Sequence, residues 1–406
     1  MMIGKVCYGL LRGDFSRPLL KAVQQGEKAF WIRRVAIQST KKMGNAIECG
    51  TDSSNAPPVS SYLLSASPGV RTLGAPEGIG KGFWAGAPGA ALDQDGRWYV
   101  CCRLRRPRDH PDGDRGAAFY IMKDGVEVWR VKKQELGAAS IERGALLFDA
   151  DGQWKLYLSF VTESDKLWRL VELAAPRVEA LAAADATVVF TADMLGPNVQ
   201  GVKDPFIFAH GGALHMFLSV ALSTADTSAA SHATLDIYNT GECVSATALA
   251  TRAAGDAAAS WKYEGVVFEP APGAMAVKPQ CAWDAYCRRV NSVIAHGGRF
   301  WAFYDGIPGA ADNYEEKTGV AVSADLRAWR CLTPAAPVFA SPFASGALRY
   351  VEAREVGGTV HLFYEMARPD GAHELRTLAL APRQLYDALD AVAGIDDDAR
   401  KGAPSS

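Results

Sequence analysis

The chain has 406 residues, 49% of them hydrophobic, a net charge of −2 and a pI near 6.4. That composition supplies a large core and gives no electrostatic case for nucleic acid or an anionic membrane as partner. No apolar run approaches the ~20 residues of a membrane span, and the eight cysteines include no CxxC pair or disulfide framework.

Residues 1–58 mix Lys and Arg with a polar stretch that has neither helical nor strand period, and read as an N-terminal appendage. The start lacks the charged-then-apolar order of a secretory signal, so free thiols and a cytoplasmic location are expected. Strand character begins in SSYLLSAS (60–67), which is expected to close a ring by adding to the last repeat.

From there one figure recurs: an apolar run, a two-residue turn, and a second apolar run rich in aromatics. The turn pairs are Asp95-Gly96, Asp151-Gly152, Gly211-Gly212, Gly297-Gly298 and Gly357-Gly358. Asp-Gly and Gly-Gly supply the positive φ of tight hairpins. A hairpin repeated at these intervals predicts an all-β chain, a five-bladed β-propeller over 59–382. The third repeat carries a long insert through the Ala/Ser/Thr-rich stretch 220–260. After Pro382 the sequence predicts a C-terminal helix and tail, 383–406.

The turns between first and second strands are minimal, and the loops after the second strands are long: 103–116, 161–166, 221–233, 305–319 and 366–374. Long loops on a rigid scaffold are where sites live. They share a face with the starts of the first strands, where Trp84, Glu142, Arg143, Asp204, Arg289, Tyr350 and Glu352 stand. Acids beside apolar strand residues are costly unless paired or functional. Two such carboxylates across a sugar-sized cleft are what glycoside hydrolysis needs. Asp204, Glu142 and Glu352 are therefore the candidate catalytic residues. Trp84, Arg103, Arg143, Arg289, Asp305, Glu316 and Tyr350 are the candidate substrate-binding residues. The bland alternatives are ion pairs between blades for Glu142, Asp204 and Glu352, and core capping for Trp84. Of the neighbours Arg288 and Arg289, only one can face the channel; of Glu315 and Glu316, the expectation is Glu316 inward.

VKDPF (202–206), the Asp124-Gly125…Trp129 ending and ADLRAW (324–329) resemble the five-bladed propeller glycosidases, the broad group of families 43, 62, 32, 68, 117 and 130. Blade 4, with WDAYCRRVNSV and NYEEKTGVA, is similar to a bacterial branch of family-43-like proteins. The resemblance covers roughly residues 60–380. It implies a general base Asp at the start of blade 1, a further Asp that tunes pKa and a later Glu as acid. This chain has Ala85-Gly86-Ala87-Pro88 at that first position. A glycoside hydrolase acting on an oligosaccharide or glycoside is therefore expected, with two alternatives. One is a phosphorylase of β-linked sugars, its phosphate held by Arg103, Arg143 or Arg289. The other is a non-catalytic carbohydrate-binding propeller. A carbohydrate partner is expected, with neither cofactor nor metal; the oligomeric state is open.

Overall fold

The computed structural model describes residues 64, 67–111, 116–223, 229–271, 282–312 and 314–394. Contacts divide the chain into Met1–Asn55 and Ala56–Ser406, and every described residue lies in the second unit. The expected appendage, nearly all of 60–67 and the tail beyond 394 lie outside the described residues.

Strand β1 (Arg71–Gly74) comes first and pairs far away in sequence. Next come β2 (Trp84–Gly86), β3 (Ala90–Leu92), β4 (Trp98–Arg105), β5 (Ala118–Lys123) and β6 (Val126–Lys132). The second group is β7 (Ala138–Phe148), β8 (Trp154–Thr162), β9 (Trp168–Ala175) and β10 (Thr187–Thr191). The third is β11 (Val199–His210), β12 (Ala213–Ser223), β13 (Cys243–Ala253) and β14 (Lys262–Phe268). The fourth is β15 (Cys287–His296), β16 (Arg299–Ile307), β17 (Lys317–Ser323) and β18 (Trp329–Cys331). The fifth is β19 (Leu348–Val356), β20 (Thr359–Ala367) and β21 (His373–Leu380), and β1 completes it by pairing antiparallel with β21. Within each group the strands pair antiparallel in chain order. Neighbouring groups touch through single parallel pairs, Trp84↔His373 and Ser245↔Cys287.

The apolar residues lie between groups. One cluster joins Cys101 and Phe119 to Leu156 and Leu158, a second joins Tyr157 and Leu170 to Val202 and Met216. A third joins Phe206 and Phe217 to Val290 and Tyr304, a fourth Phe303 and Val320 to Val351 and Leu362. A fifth joins Val100 and Cys102 of the first group to Phe363 and Leu375 of the fifth. Both faces of the sheets are therefore covered, which is why the strands read as near-continuous apolar runs rather than strict alternations.

Several expectations are corrected here. The Gly-Gly pairs are two-residue turns: Gly211 and Gly212 have φ of 58° and 75° between β11 and β12. The Asp-Gly pairs sit in longer loops. Asp93 and Asp149 open them, and only Gly96 and Gly152 take positive φ. The Asp93 carboxylate accepts the amides of Asp95 and Arg97, an Asx-type device that does the work of a second glycine. Arg71–Gly74 adds to the last group, and the expectation for 60–67 falls almost wholly outside the described residues. The 220–260 stretch is not loop throughout, because β13 runs through it. A helix, α1 (Pro382–Ala393), does follow β21, with Pro at its first turn and Gly394 ending it at φ 68°. Its Leu385, Tyr386 and Leu389 pack onto the fourth-to-fifth cluster.

Candidate functional site

The first strand of each group is interrupted at a similar height. The register shifts between Ile141 and Gly144, Lys203 and Phe206, Val290 and Ser292, and Arg349 and Glu352. In the first group the break is complete, leaving β2 and β3 as separate strands on β4. Three non-glycine residues at these breaks take positive φ: Ala87 at 52°, Asp204 at 53° and Tyr350 at 54°. Each donates its freed amide to a buried side chain from the preceding group. Ala87 gives to Glu365 (3.0 Å), Asp204 to the Ser159 hydroxyl (2.8 Å) and Tyr350 to Asp305 (3.1 Å). Bulges re-aim side chains, and non-glycine residues in this region store strain.

The acceptors share one position. Seven residues after the second residue of each turn stand Arg103, Ser159, Ser219, Asp305 and Glu365, all buried on the second strands. Lys203, Arg289 and Arg349 pair directly across from Ser219, Asp305 and Glu365. The result is a buried belt of alternating charge. Arg103 bonds Glu142 and Glu365, Arg289 and Arg349 share Glu316, and Arg349 also holds Glu365. Arg143 reaches Glu352, the Pro88 carbonyl (2.7 Å) and the Asn291 carbonyl (3.0 Å). His373 Nδ1 lies 2.8 Å from Glu365 Oε1.

All ten residues singled out from the sequence are buried in this belt or against it. Arg103 and Asp305 lie within strands β4 and β16 rather than in the loops assigned to them, because those strands run on past their aromatics. Arg289 faces the belt, and Arg288 turns outward to Asp284. Glu316 is inside, and Glu315 is half-buried beside Ser345 and His373. Trp84 has no open face for a sugar: His373 stacks on it at 4.6 Å and the Arg105 guanidinium lies 4.5 Å from its ring centre. Arg105, Arg349, Glu365 and His373 also belong here and were not singled out. For Glu365 the signal is its distance of seven residues from the hairpin turn, which makes it the equivalent of Arg103 and Asp305.

The absence of an acid at the start of the first group has a spatial reason. A Cβ on Gly86 would come within 2.1 Å of Glu365 Oε2. The Glu365 carboxylate, arriving from the fifth group, fills that space and takes the Ala87 amide.

The carboxylates divide into two sets. Glu316, Glu352 and Glu365 have both oxygens engaged by protein donors; Glu352 accepts the Ala90 amide (2.8 Å), Arg354 and Arg143. Among the described residues, Glu142 is held by Arg103 through Oε2 alone. Asp204 accepts the Arg143 amide on Oδ1 (3.3 Å), and its Oδ2 takes no hydrogen bond although Lys203 and Arg289 stand 3.6 and 3.8 Å away. Among the described residues, Asp305 is held only by the Tyr350 amide, shared between both oxygens at 3.1 and 3.3 Å.

Electrostatics separate the second set further. Burial alone would raise the Glu142 carboxyl, but Arg103, with Lys203, Arg105 and Arg349 beyond it, brings it down to about 2. Burial pushes the Asp305 carboxyl up to about 7, against the pull of Arg289 and with the help of ionised Glu316. Tyr350 lies amid these groups, its ring 5.9 Å from the Arg103 and Arg143 guanidinium carbons and 5.2 Å from that of Arg349. Burial, then Asp204 and Glu142, hold its phenol well above the usual range.

No family model matches the chain, and no curated protein does. Solved structures do. A structure described as an RGII complex is similar at TM-score 0.56 and 10% identity, over 79% of this chain and 93% of that one. One described as a glycoside hydrolase is similar at TM-score 0.55 and 11% identity, over 78% and 93%. The family-43 enzyme from Xanthomonas citri complexed with xylotriose is similar at TM-score 0.50 and 12% identity, over 76% and 91%. With the strand groups and the clusters between them, this likeness identifies the fold: the chain has the β-propeller fold of the family-43-like glycoside hydrolases.

Proposed function

We propose that the protein is a glycoside hydrolase built as a five-bladed propeller, each four-stranded group forming one blade. The observation that carries this reading is the division of the buried carboxylates. Glu316, Glu352 and Glu365 are saturated and act as struts between blades. Glu142, Asp204 and Asp305, from three consecutive groups, keep acceptor capacity. One of them is ionised and one retains a proton near neutral pH, the separation that acid and base work on a glycosidic bond requires.

In this reading Asp305 supplies the proton to the leaving oxygen. Asp204, through its free Oδ2, and Glu142 supply the carboxylate that attacks the anomeric carbon or activates water. Tyr350, ringed by guanidinium groups, positions the sugar, with Arg103, Arg143 and Arg289 around it. Glu316 supports Arg289 from behind. A carbohydrate substrate is the partner implied, as in the xylotriose complex of the Xanthomonas citri enzyme. No step calls for a metal or cofactor.

Leaving-group chemistry tests the assignment. Asp305→Asn is expected to lose about 10²–10⁴-fold on alkyl glycosides and little on dinitrophenyl glycosides, whose leaving group needs no proton. Asp204→Asn is expected to lose both. Absence of turnover by the wild type on a broad panel of glycosides, with sugars still bound, would replace this reading with a binding propeller. Turnover only with inorganic phosphate present would make the enzyme a phosphorylase.

A further inference from the structure

Among the described residues, every buried cation in the belt has a carboxylate within ion-pair distance except one. Arg105 is 4% exposed and pairs with no carboxylate among the described residues. It stands directly across from Trp84 on β2 and β4. Its guanidinium is clamped between two rings, 4.5 Å from the centre of Trp84 and 3.9 Å from that of Tyr314. Two buried donors in this clamp lack an acceptor: Arg105 Nη1 and the indole Nε1 of Trp84. A third, Arg103 Nε, lies two residues away on the same face of β4. An unpaired buried guanidinium and an unpaired indole N–H are both costly to keep. Stacking on two aromatic rings offsets part of that cost, and binding a carboxylate there requires the buried clamp to open.

We propose that Arg105 and Trp84 take the carboxylate of an acidic sugar, so that the substrate is a glycoside carrying a uronic acid or a similar ring carboxylate. This rests on the reading of the protein as carbohydrate-active and adds the charge of its substrate. A carboxylate has two acceptor oxygens, enough for both donors. A neutral sugar hydroxyl would leave Arg105 with only the more distant charge of Glu142 to balance it. Arg108, on the rim and 3.3 Å from the Tyr314 hydroxyl, is itself paired with Asp236 at 3.5 Å, so Arg105 is the cation left for the ligand.

Calorimetric binding of glucuronate, galacturonate, glucose and inorganic phosphate to the full chain tests this without turnover. The expected result is a uronate bound at least about tenfold more tightly than glucose, with the difference lost in Arg105→Gln. Circular dichroism checks that the variant folds. Trp84→Phe removes the indole N–H and should weaken uronate binding severalfold, by a larger factor than it changes glucose binding. Equal affinity of the wild type for uronates and glucose overturns the proposal. So does a uronate preference that survives in folded Arg105→Gln or in Trp84→Phe, or Arg105-dependent binding of phosphate without uronates. Uronate binding with no turnover of any glycoside would sink the hydrolase reading and leave this one standing.

Discussion

Asp204 and Tyr350 occupy equivalent places two groups apart. Each stands eight residues before the second glycine of its turn, at φ 53° and 54°, and gives its amide to a side chain of the preceding group. One contributes a carboxylate with a free oxygen, the other a phenol amid three guanidinium groups. The same backbone device thus presents two different chemistries to the belt.

Backbone strain at Asp204 is measurable by comparing two substitutions that both remove the carboxylate. Asp204→Gly should be more stable than Asp204→Ala by about 1–2 kcal/mol, because only glycine takes positive φ without a Cβ penalty. Chemical denaturation of the pair checks this; equal stabilities would mean the position relaxes on substitution.

Glu352 and Glu142 should separate by readout. Glu352→Gln leaves Arg143 buried without its carboxylate partner, and a broken buried pair costs about 3–5 kcal/mol. Glu142→Gln also loses an ion pair, with Arg103, but Arg103 keeps Glu365. The expected outcome is a large fall in melting temperature for Glu352→Gln, and for Glu142→Gln a smaller fall with a disproportionate loss of turnover.

The Asp305 carboxyl makes a signed pH prediction. Its folded-state value is raised from 3.8 to about 7, so the folded protein holds this proton more tightly than the unfolded chain. The stability this contributes is complete below about pH 4 and is lost as pH rises to about 7, up to about 4 kcal/mol in all. Asp305→Asn cannot ionise, so its stability relative to wild type should grow between pH 4 and pH 8. Turnover of poor leaving groups should fall above about pH 7. A pH-independent difference between the two proteins would assign the carboxyl an ordinary value.

Gly86→Ala probes the closed space at the first group. The new Cβ would meet Glu365 at 2.1–2.5 Å, so the carboxylate must move and release the Ala87 amide and Arg103. A loss of about 3 kcal/mol or more is expected, in the range of broken buried pairs. Gly152→Ala, where nothing lies within 4 Å, should cost only the positive-φ penalty of about 1 kcal/mol.

The hairpin repeat was legible because Gly-Gly and Asp-Gly turns report a local backbone need that no distant residue can change. It did not set where the strands end: Asp305 reads as the first residue of a loop, and lies within β16 because that strand runs on past its aromatics. Glu365 and Arg349 were less visible because FYEM and LRYVEA look like ordinary strand ends; only a partner on another group makes an acid affordable there. The empty first position could not be understood from its own neighbourhood, since the group that fills it lies 278 residues away from the amide it binds. Trp84 was read as a sugar platform because an aromatic at a strand start looks available until His373 and Arg105 are found on its faces.

The pairing of β1 with β21 sets an order on synthesis. Arg71–Gly74 leaves the ribosome early, yet its partner strand ends at Leu380. Until then an unpaired strand edge and the apolar side chains around Leu375 and Leu378 have no lasting cover. Such edges recruit other chains. The newborn protein therefore completes its last group only near the end of synthesis, and a stall or truncation late in translation is expected to leave a sticky intermediate rather than a smaller folded protein.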